Sequence, residues 1–235
     1  MTPIVLLHGA LGAPSSFDEV RARLDRSHEV CAPWLPGHGP SRAPLPETFE
    51  LAAAELAREV PRGALLVGYS LGGRLALALT RAVACAGLVL VGAHAEPGDD
   101  ARRAWDDEQA AAARLDFQAF VASWERLPVF ATQSDDDRAR QRATRLSHDG
   151  ARVAWALSTL GQGRMPDLSP TLAAQEAPTR WLVGERDARL VASARRARLS
   201  PAVRLTIVPD RGHNLILEAP AVVAAAIESV HKELS

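Results

Sequence analysis

The stretch Gly68-Tyr69-Ser70-Leu71-Gly72-Gly73-Arg74 constrains this chain more than any other. Ala64-Leu65-Leu66-Val67 reads as a strand running into it, and Leu75, Leu77, Leu79 and Val83 read as a helical pattern running out. A serine between glycines at such a junction demands a sharp turn. Side chains at 68 or 72 would meet neighbouring backbone, and Ser70 itself would sit in a strained conformation. The turn lifts the Ser70 hydroxyl clear of the sheet and aims the unpaired N–H groups of a helix start at the same spot. G-x-S-x-G in this strand–turn–helix setting is a nucleophile-bearing motif. The bland alternative, an idle serine in a glycine-rich turn, is outweighed by the partners found downstream.

Short apolar runs alternate with helical patterns along the rest of the chain, which predicts an α/β fold with a mostly parallel sheet and helices on both faces. Strands are expected near 3–8, 28–32, 64–69, 86–91, 179–184 and 203–208. Ser16-x-x-Glu19 reads as a capping box. Pro220 reads as a helix start, with Val223, Ile227 and Val230 on one face. Residues 94–170 break the alternation: they are helical, rich in Ala, Arg and Asp, and carry Trp105, Trp124 and Trp155. They are expected to form a helical cap over the C-terminal edge of a core made of 1–93 and 171–235, where ligands bind in open α/β sheets. An independent helical bundle is the alternative.

At 235 residues and 47% hydrophobic the chain suits one such domain. A net charge of −1 argues against nucleic acid as a partner. No apolar run approaches membrane-spanning length, and no basic segment precedes a signal-like stretch, so neither a membrane partner nor export is expected. Cys31 and Cys85 lack metal or redox spacing and read as small buried residues of a reduced, cytoplasmic protein. Lys232 is the only lysine, so anion recognition falls to arginine, whose guanidinium holds carboxylates in a bidentate fork. The composition does not choose between a monomer and a homo-oligomer.

A serine hydroxyl becomes reactive when a histidine takes its proton and an acid holds that histidine's tautomer. Trp181-Leu182-Val183 reads as a strand ending in Gly184-Glu185-Arg186-Asp187, and Thr206-Ile207-Val208 as one ending in Pro209-Asp210-Arg211-Gly212-His213-Asn214. Both loops fall on the same sheet edge as Ser70. The expected constellation is Ser70, Asp187 and His213, with Glu185 and Asp210 as competing acids. His8 is expected to shape a turn and His38 to be a loop residue. His28, His94, His148 and His231 read as surface or cap residues. Two convergent N–H groups, from Ala10 and Leu71, would form an oxyanion hole. No metal-binding or nucleotide-binding motif is present, so neither a metal nor a cofactor is expected.

His8-Gly9, Pro36-Gly37-His38-Gly39, the serine turn, Gly184-Glu185-Arg186-Asp187 and Gly212-His213-Asn214 together resemble the α/β-hydrolase superfamily across the whole chain. Trp124-Glu125-Arg126-Leu127-Pro128-Val129-Phe130-Ala131, Asp135-Asp136-Asp137-Arg138 and Arg145 resemble one family within it, the 2-succinyl-6-hydroxy-2,4-cyclohexadiene-1-carboxylate (SHCHC) synthases of menaquinone biosynthesis. The resemblance implies a lyase acting on a small polycarboxylate. His213 would activate Ser70 to abstract a ring proton, and pyruvate would leave. It also implies carboxylate recognition by Arg74, Arg103 and Arg145. Arg102 stands beside the second, and Arg140 and Arg142 beside the third, so local ion pairs or a surface helix are the alternatives. Tyr69 and Trp124 are candidate pocket walls, or core aromatics. Three positions depart from the family pattern: Glu125 replaces an aromatic, Leu11 a polar residue, and Trp34 an acidic one. A carboxylate at 125 would repel a polyanion unless it points away.

Two other readings share the motifs. A carboxylesterase or carbon–carbon bond hydrolase would use the same three residues with an attacking water, but in an apolar pocket without the arginines. A ligand-binding protein with a residual constellation would not need Ser70 at all.

Overall fold

Alternation along the strands decides how the sheet is covered. The computed structural model describes residues 2–234. Strands β1 (Ile4–Leu7), β2 (Val30–Cys31), β3 (Leu65–Tyr69), β4 (Gly87–Val91), β5 (Thr179–Gly184) and β6 (Val203–Val208) pair in parallel in the order β2-β1-β3-β4-β5-β6. Val5, Leu7, Leu66, Leu88, Leu90, Trp181 and Val183 point to one face. Helices α2 (Phe49–Ala57), α3 (Leu71–Leu79), α8 (Ser169–Ala173) and α9 (Ala188–Arg196) cover that face. The residues between them, Ile4, Leu6, Leu65, Val67, Val89, Val91 and Leu182, point to the other. There they meet Phe17 and helices α1 (Asp18–Arg21), α10 (Leu215–Glu218) and α11 (Pro220–Glu233).

From β1 the chain moves outward to β2 and then returns to place β3 on β1's other side. Such a reversal opens a crevice at the strands' C-terminal ends, here between the loop after Leu7 and the turn after Tyr69. Helices α4 (Asp100–Leu115), α5 (Phe117–Trp124), α6 (Asp135–Leu146) and α7 (Gly150–Leu160) all fall between β4 and β5 and hold a cluster of their own. Ala110, Phe120, Val121, Trp124, Phe130, Val153 and Leu157 form it, and Leu11 of the sheet's first loop enters it. Asp99, Asp116, Ser134 and Asp149 each accept a backbone N–H at the start of these helices, which is why the acidic segment breaks into four rods.

The strands match the periodicity to within a residue or two, except that 28–32 shortens to Val30–Cys31 at the sheet edge. That edge leaves Cys31 exposed and Cys85 half-buried, both as free thiols, so Cys31 is not the buried residue expected. Ser16 does not cap α1. Pro14–Phe17 is a 3-10 turn, and the Ser16 hydroxyl accepts the Ala13 N–H at 3.0 Å inside it. Pro220 does open α11, with Val223, Ile227 and Val230 buried. No helix among the described residues is long and apolar enough to cross a membrane.

Candidate active site

Ser70 sits at the N-terminus of α3 with φ 51° and ψ −111°. The glycines around it answer to close approach. A Cβ on Gly72 would strike the Leu7 carbonyl, and one on Gly68 would strike the backbone of Gly72. Ser70 Oγ lies 3.0 Å from His213 Nε2, and His213 Nδ1 lies 2.7 Å from Asp187 Oδ2. Asp187 Oδ1 accepts the Leu190 N–H at 3.2 Å, so capping α9 fixes the carboxylate that holds the imidazole. Burial alone would raise the Asp187 carboxyl. The hydrogen bond and charge of His213 outweigh it and bring the group below its ordinary value. An ionised Asp187 at Nδ1 leaves Nε2 bare to accept from the serine.

The two competing acids lie elsewhere. Glu185 accepts the Asp210 N–H, and Asp210 pairs with Arg186 at 3.0 Å in solvent. Tyr69 packs against His213 with ring centroids 5.5 Å apart, and burial pushes its hydroxyl well above the usual range. Ala10 and Leu71 both line the space above Ser70. Among the described residues neither N–H is spent on another backbone or side-chain group.

That space is a cavity of about 1130 Å³ between the sheet's C-terminal edge and helices α4, α5 and α7. Ser70, His213, Arg74, Arg102, Trp105 and Trp124 are among its walls. Arg74 is 8% exposed, and among the described residues the one hydrogen bond of its guanidinium is a weak contact of 3.9 Å to Met165 Sδ. Burial, with the neighbouring charge of Arg102, pulls its pKa down to about 10, and Asp106 offsets this only in part. Arg102 lies over Trp105 at 4.8 Å and reaches Asp106 at 2.8 Å and Gln162 at 3.0 Å.

Arg103 is not in this wall. Successive helical residues diverge by about 100°, so with Arg102 facing in, Arg103 turns to the Gly163 carbonyl at 3.1 Å and to Asp100 at 3.5 Å. Arg145 is also outside the main cavity. It is 4% exposed and donates to Glu125 at 3.0 Å and Gln141 at 2.9 Å. It borders a second cavity of about 210 Å³ that meets the first at Ala10, Tyr69 and Phe130. Glu125 is 1% exposed and lines neither cavity, its other oxygen taken by Arg142.

Sequence reasoning missed Arg102 as a cavity residue, although Arg102-x-x-x-Asp106 is an i,i+4 pair that could have flagged an anchored side chain. It also missed His94, which lines the cavity and whose pKa burial pulls down to about 3. His8 does shape the turn: its Nδ1–H meets the Gly9 carbonyl at 2.8 Å, and its Nε2 accepts the Leu35 N–H at 3.1 Å. Burial pulls its pKa from 6.5 to about 4.

A lowered imidazole pKa means that the unfolded chain takes up the proton first. Stability is therefore full above pH 6.5 and is lost as pH falls from 6.5 towards 4. His8 alone contributes about 3 kcal/mol across that window, and His38, His94 and His148 shift in the same direction. The thermal midpoint should fall steadily between pH 7 and pH 4.5. A flat midpoint would show that these imidazoles are not neutral and buried.

A model of the alpha/beta hydrolase family matches residues 4–226. The 2-succinyl-6-hydroxy-2,4-cyclohexadiene-1-carboxylate synthase of Enterobacter sp. (strain 638) is 31% identical over 238 residues, covering 97% of this chain and 90% of that protein. The synthase of Shigella sonnei is 33% identical over 240 residues, covering 97% and 92%. Among solved structures, MenH from S. aureus superposes with a TM-score of 0.91 at 28% identity, covering 99% of this chain and 94% of its own. A thermophilic esterase from Thermogutta terrifontis, solved with malate bound, gives 0.84 at 26% identity, covering 100% and 90%. The chain belongs to the alpha/beta hydrolase family and, within it, to the family of 2-succinyl-6-hydroxy-2,4-cyclohexadiene-1-carboxylate synthases.

Proposed function

We propose that this protein is a carbon–oxygen lyase of menaquinone biosynthesis. It eliminates pyruvate from 2-succinyl-5-enolpyruvyl-6-hydroxy-3-cyclohexene-1-carboxylate to give SHCHC. The observation that carries the reading is Arg74: a guanidinium buried in the wall of the cavity above Ser70, with a thioether as its hydrogen-bond partner. Asp106, the carboxylate that acts on it, is already bound by Arg102, and a buried charge compensated only in part is costly. A carboxylate of the substrate would complete the compensation, in the bidentate geometry that arginine favours.

In this reading Ser70, His213 and Asp187 act as one base. His213 Nε2 takes the hydroxyl proton, and the serine oxygen takes a proton from the substrate ring. The electron pair of that C–H bond becomes part of the conjugated ring. The C–O bond to the enolpyruvyl group breaks, and the departing enolate collects a proton to become pyruvate. No water attacks, and no acyl group is transferred. The N–H groups of Ala10 and Leu71 would hold the negative charge that builds on a substrate carbonyl oxygen, where one such donor is worth about 10² to 10³ in rate. Arg74 and Arg102 would hold carboxylates, and Trp105 and Trp124 would supply the apolar wall. Helices α4–α7 would act as the cap that screens the site from water.

The hydrolase reading keeps one observation in its favour. A serine 3.0 Å from a histidine is also what acyl transfer needs. Purified protein should be given freshly generated pathway intermediate and, separately, a p-nitrophenyl ester. Rapid pyruvate release with negligible ester cleavage is expected. Ester cleavage without pyruvate release would make the protein a hydrolase that uses the same residues.

A further inference from the structure

Three histidines outside the Ser70 constellation cluster between the turn that joins helices α6 and α7 and the loop after β1. His8 and His38 meet edge to face with centroids 5.1 Å apart, and His38 and His148 do so at 5.3 Å. Trp34 completes a ring of four, 5.9 Å from His8 and 5.9 Å from His148. We propose that His38 and His148 are positioning residues that couple the seating of the cap to the direction of the Ala10 N–H.

The coupling runs through peptide planes. A trans peptide is rigid, so holding its carbonyl or its N–H fixes the whole plane. The plane before Ala10 carries the Gly9 carbonyl and the Ala10 N–H, and His8 and the Gly12 N–H hold that carbonyl. The plane after Ala10 ends in the Leu11 N–H, which His38 Nε2 accepts at 3.1 Å. Both planes that set Ala10 therefore end on an imidazole. Leu11 has φ 56°, a left-handed conformation that a leucine adopts only where its surroundings over-determine it.

His38 is in turn held from the cap side. Its Nδ1–H meets the Pro36 carbonyl at 3.1 Å, while His148, in the turn between α6 and α7, accepts the Gly39 N–H on Nδ1 at 3.2 Å. The same loop is tied to α7 by Trp155 Nε1 on the Pro46 carbonyl at 3.0 Å and by Arg152 on the Ala43 carbonyl at 3.0 Å. Gly37, with φ 82°, lies so close to Arg152, Trp155 and Ala156 that a side chain would not fit. Movement of α6 and α7 is thus transmitted to residues 36–39, and from His38 to Leu11. A backbone N–H can donate only to a bare nitrogen, so His38 is the Nδ1–H tautomer and His148 the Nε2–H tautomer. Burial lowers the pKa of both, which keeps them neutral.

The inference rests on Ala10 as an oxyanion donor, and the test separates the two claims. In pyruvate release, His38→Leu should lower kcat about ten- to a hundredfold, no more than the loss of about 10² to 10³ that removing one oxyanion donor causes, because the donor is misdirected rather than removed, with KM within threefold. His38→Gln, whose amide oxygen can accept the Leu11 N–H, should recover most of that loss. His148→Leu should lower kcat by less, and the double variant should fall short of the product of the two effects. Nitrogen-15 spectra of the unliganded protein should show His38 with a bare Nε2, in a signal that His148→Leu shifts. Unchanged kcat in both leucine variants beside an inactive Ser70→Ala would overturn the coupling while leaving the base reading intact. A His38 carrying its proton on Nε2 would overturn it whatever the turnover. A fully active Ser70→Ala would instead reject the base reading, and the spectra would then decide the coupling alone.

Discussion

Ser70→Ala should lower the rate of pyruvate release by about three orders of magnitude or more, and His213→Ala by a similar factor. The two losses should not multiply in the double variant, because in the proposed reaction the two residues move one proton together. The hydroxyl is the group that would touch the substrate ring, and its one side-chain partner among the described residues is His213 at 3.0 Å. Removing it leaves no buried group stranded: His213 keeps Asp187, and Ser70's backbone still donates to Val91. The variant should therefore fold normally, with a thermal midpoint within a degree or two of the parent, since a change of this kind costs within about 0.5 kcal/mol. Turnover and thermal midpoint measured on the same preparation check both halves. Retained turnover would remove Ser70 from the chemistry. A lost fold would mean that the turn depends on the hydroxyl.

The sheet was legible because its signals are local. Each strand is a short apolar run closed by glycine or proline within a few residues, and period-two alternation sorts Val5 and Leu7 from Ile4 and Leu6 without knowledge of the tertiary structure. Ser70, Asp187 and His213 were legible as a set because each follows a strand of one parallel sheet, which brings their loops to one edge. Helical phase was harder to read. Arg102 and Arg103 are both consistent with the sequence, and only the packing of α4 against α7 shows which faces the cavity. Contacts between distant segments left no trace in either one. His148 and Gly39 are 109 positions apart, and the two loops they join are unremarkable when read alone. Cys31 was misread because an edge strand of two residues has the composition of a buried one but not its neighbours.

Glu125 shows why a departure from a family pattern has to be read with its partners. Beside a polyanion an aromatic position turned carboxylate looks hostile, yet this one is 1% exposed and lies between Arg142 and Arg145. Burial pushes its pKa up, and the hydrogen bonds and charges of the two arginines more than reverse that. Glu125→Ala should be the most destabilising single change in helices α4–α7. It strands Arg145, 4% exposed, with the Gln141 amide as its remaining side-chain acceptor. Breaking a buried pair from one side costs about 3–5 kcal/mol, or about 10 °C in thermal midpoint for a chain of this size.

Arg145→Met should cost less, because Glu125 keeps Arg142, whose side chain is half-exposed and flexible. The double variant Glu125→Ala/Arg145→Met should regain most of the loss, since no uncompensated charge then stays buried. The freed Arg145 of Glu125→Ala borders the smaller cavity next to Ala10 and Tyr69. A dicarboxylate such as succinate should accordingly raise the midpoint of Glu125→Ala more than that of the parent or of the double variant. Thermal unfolding of the four proteins with and without succinate tests the whole argument. Equal midpoints for Glu125→Ala and the double variant would show that Arg145 finds another anion among helices α4–α7. An equal response to succinate in all four would place its binding on Arg74 and Arg102 alone.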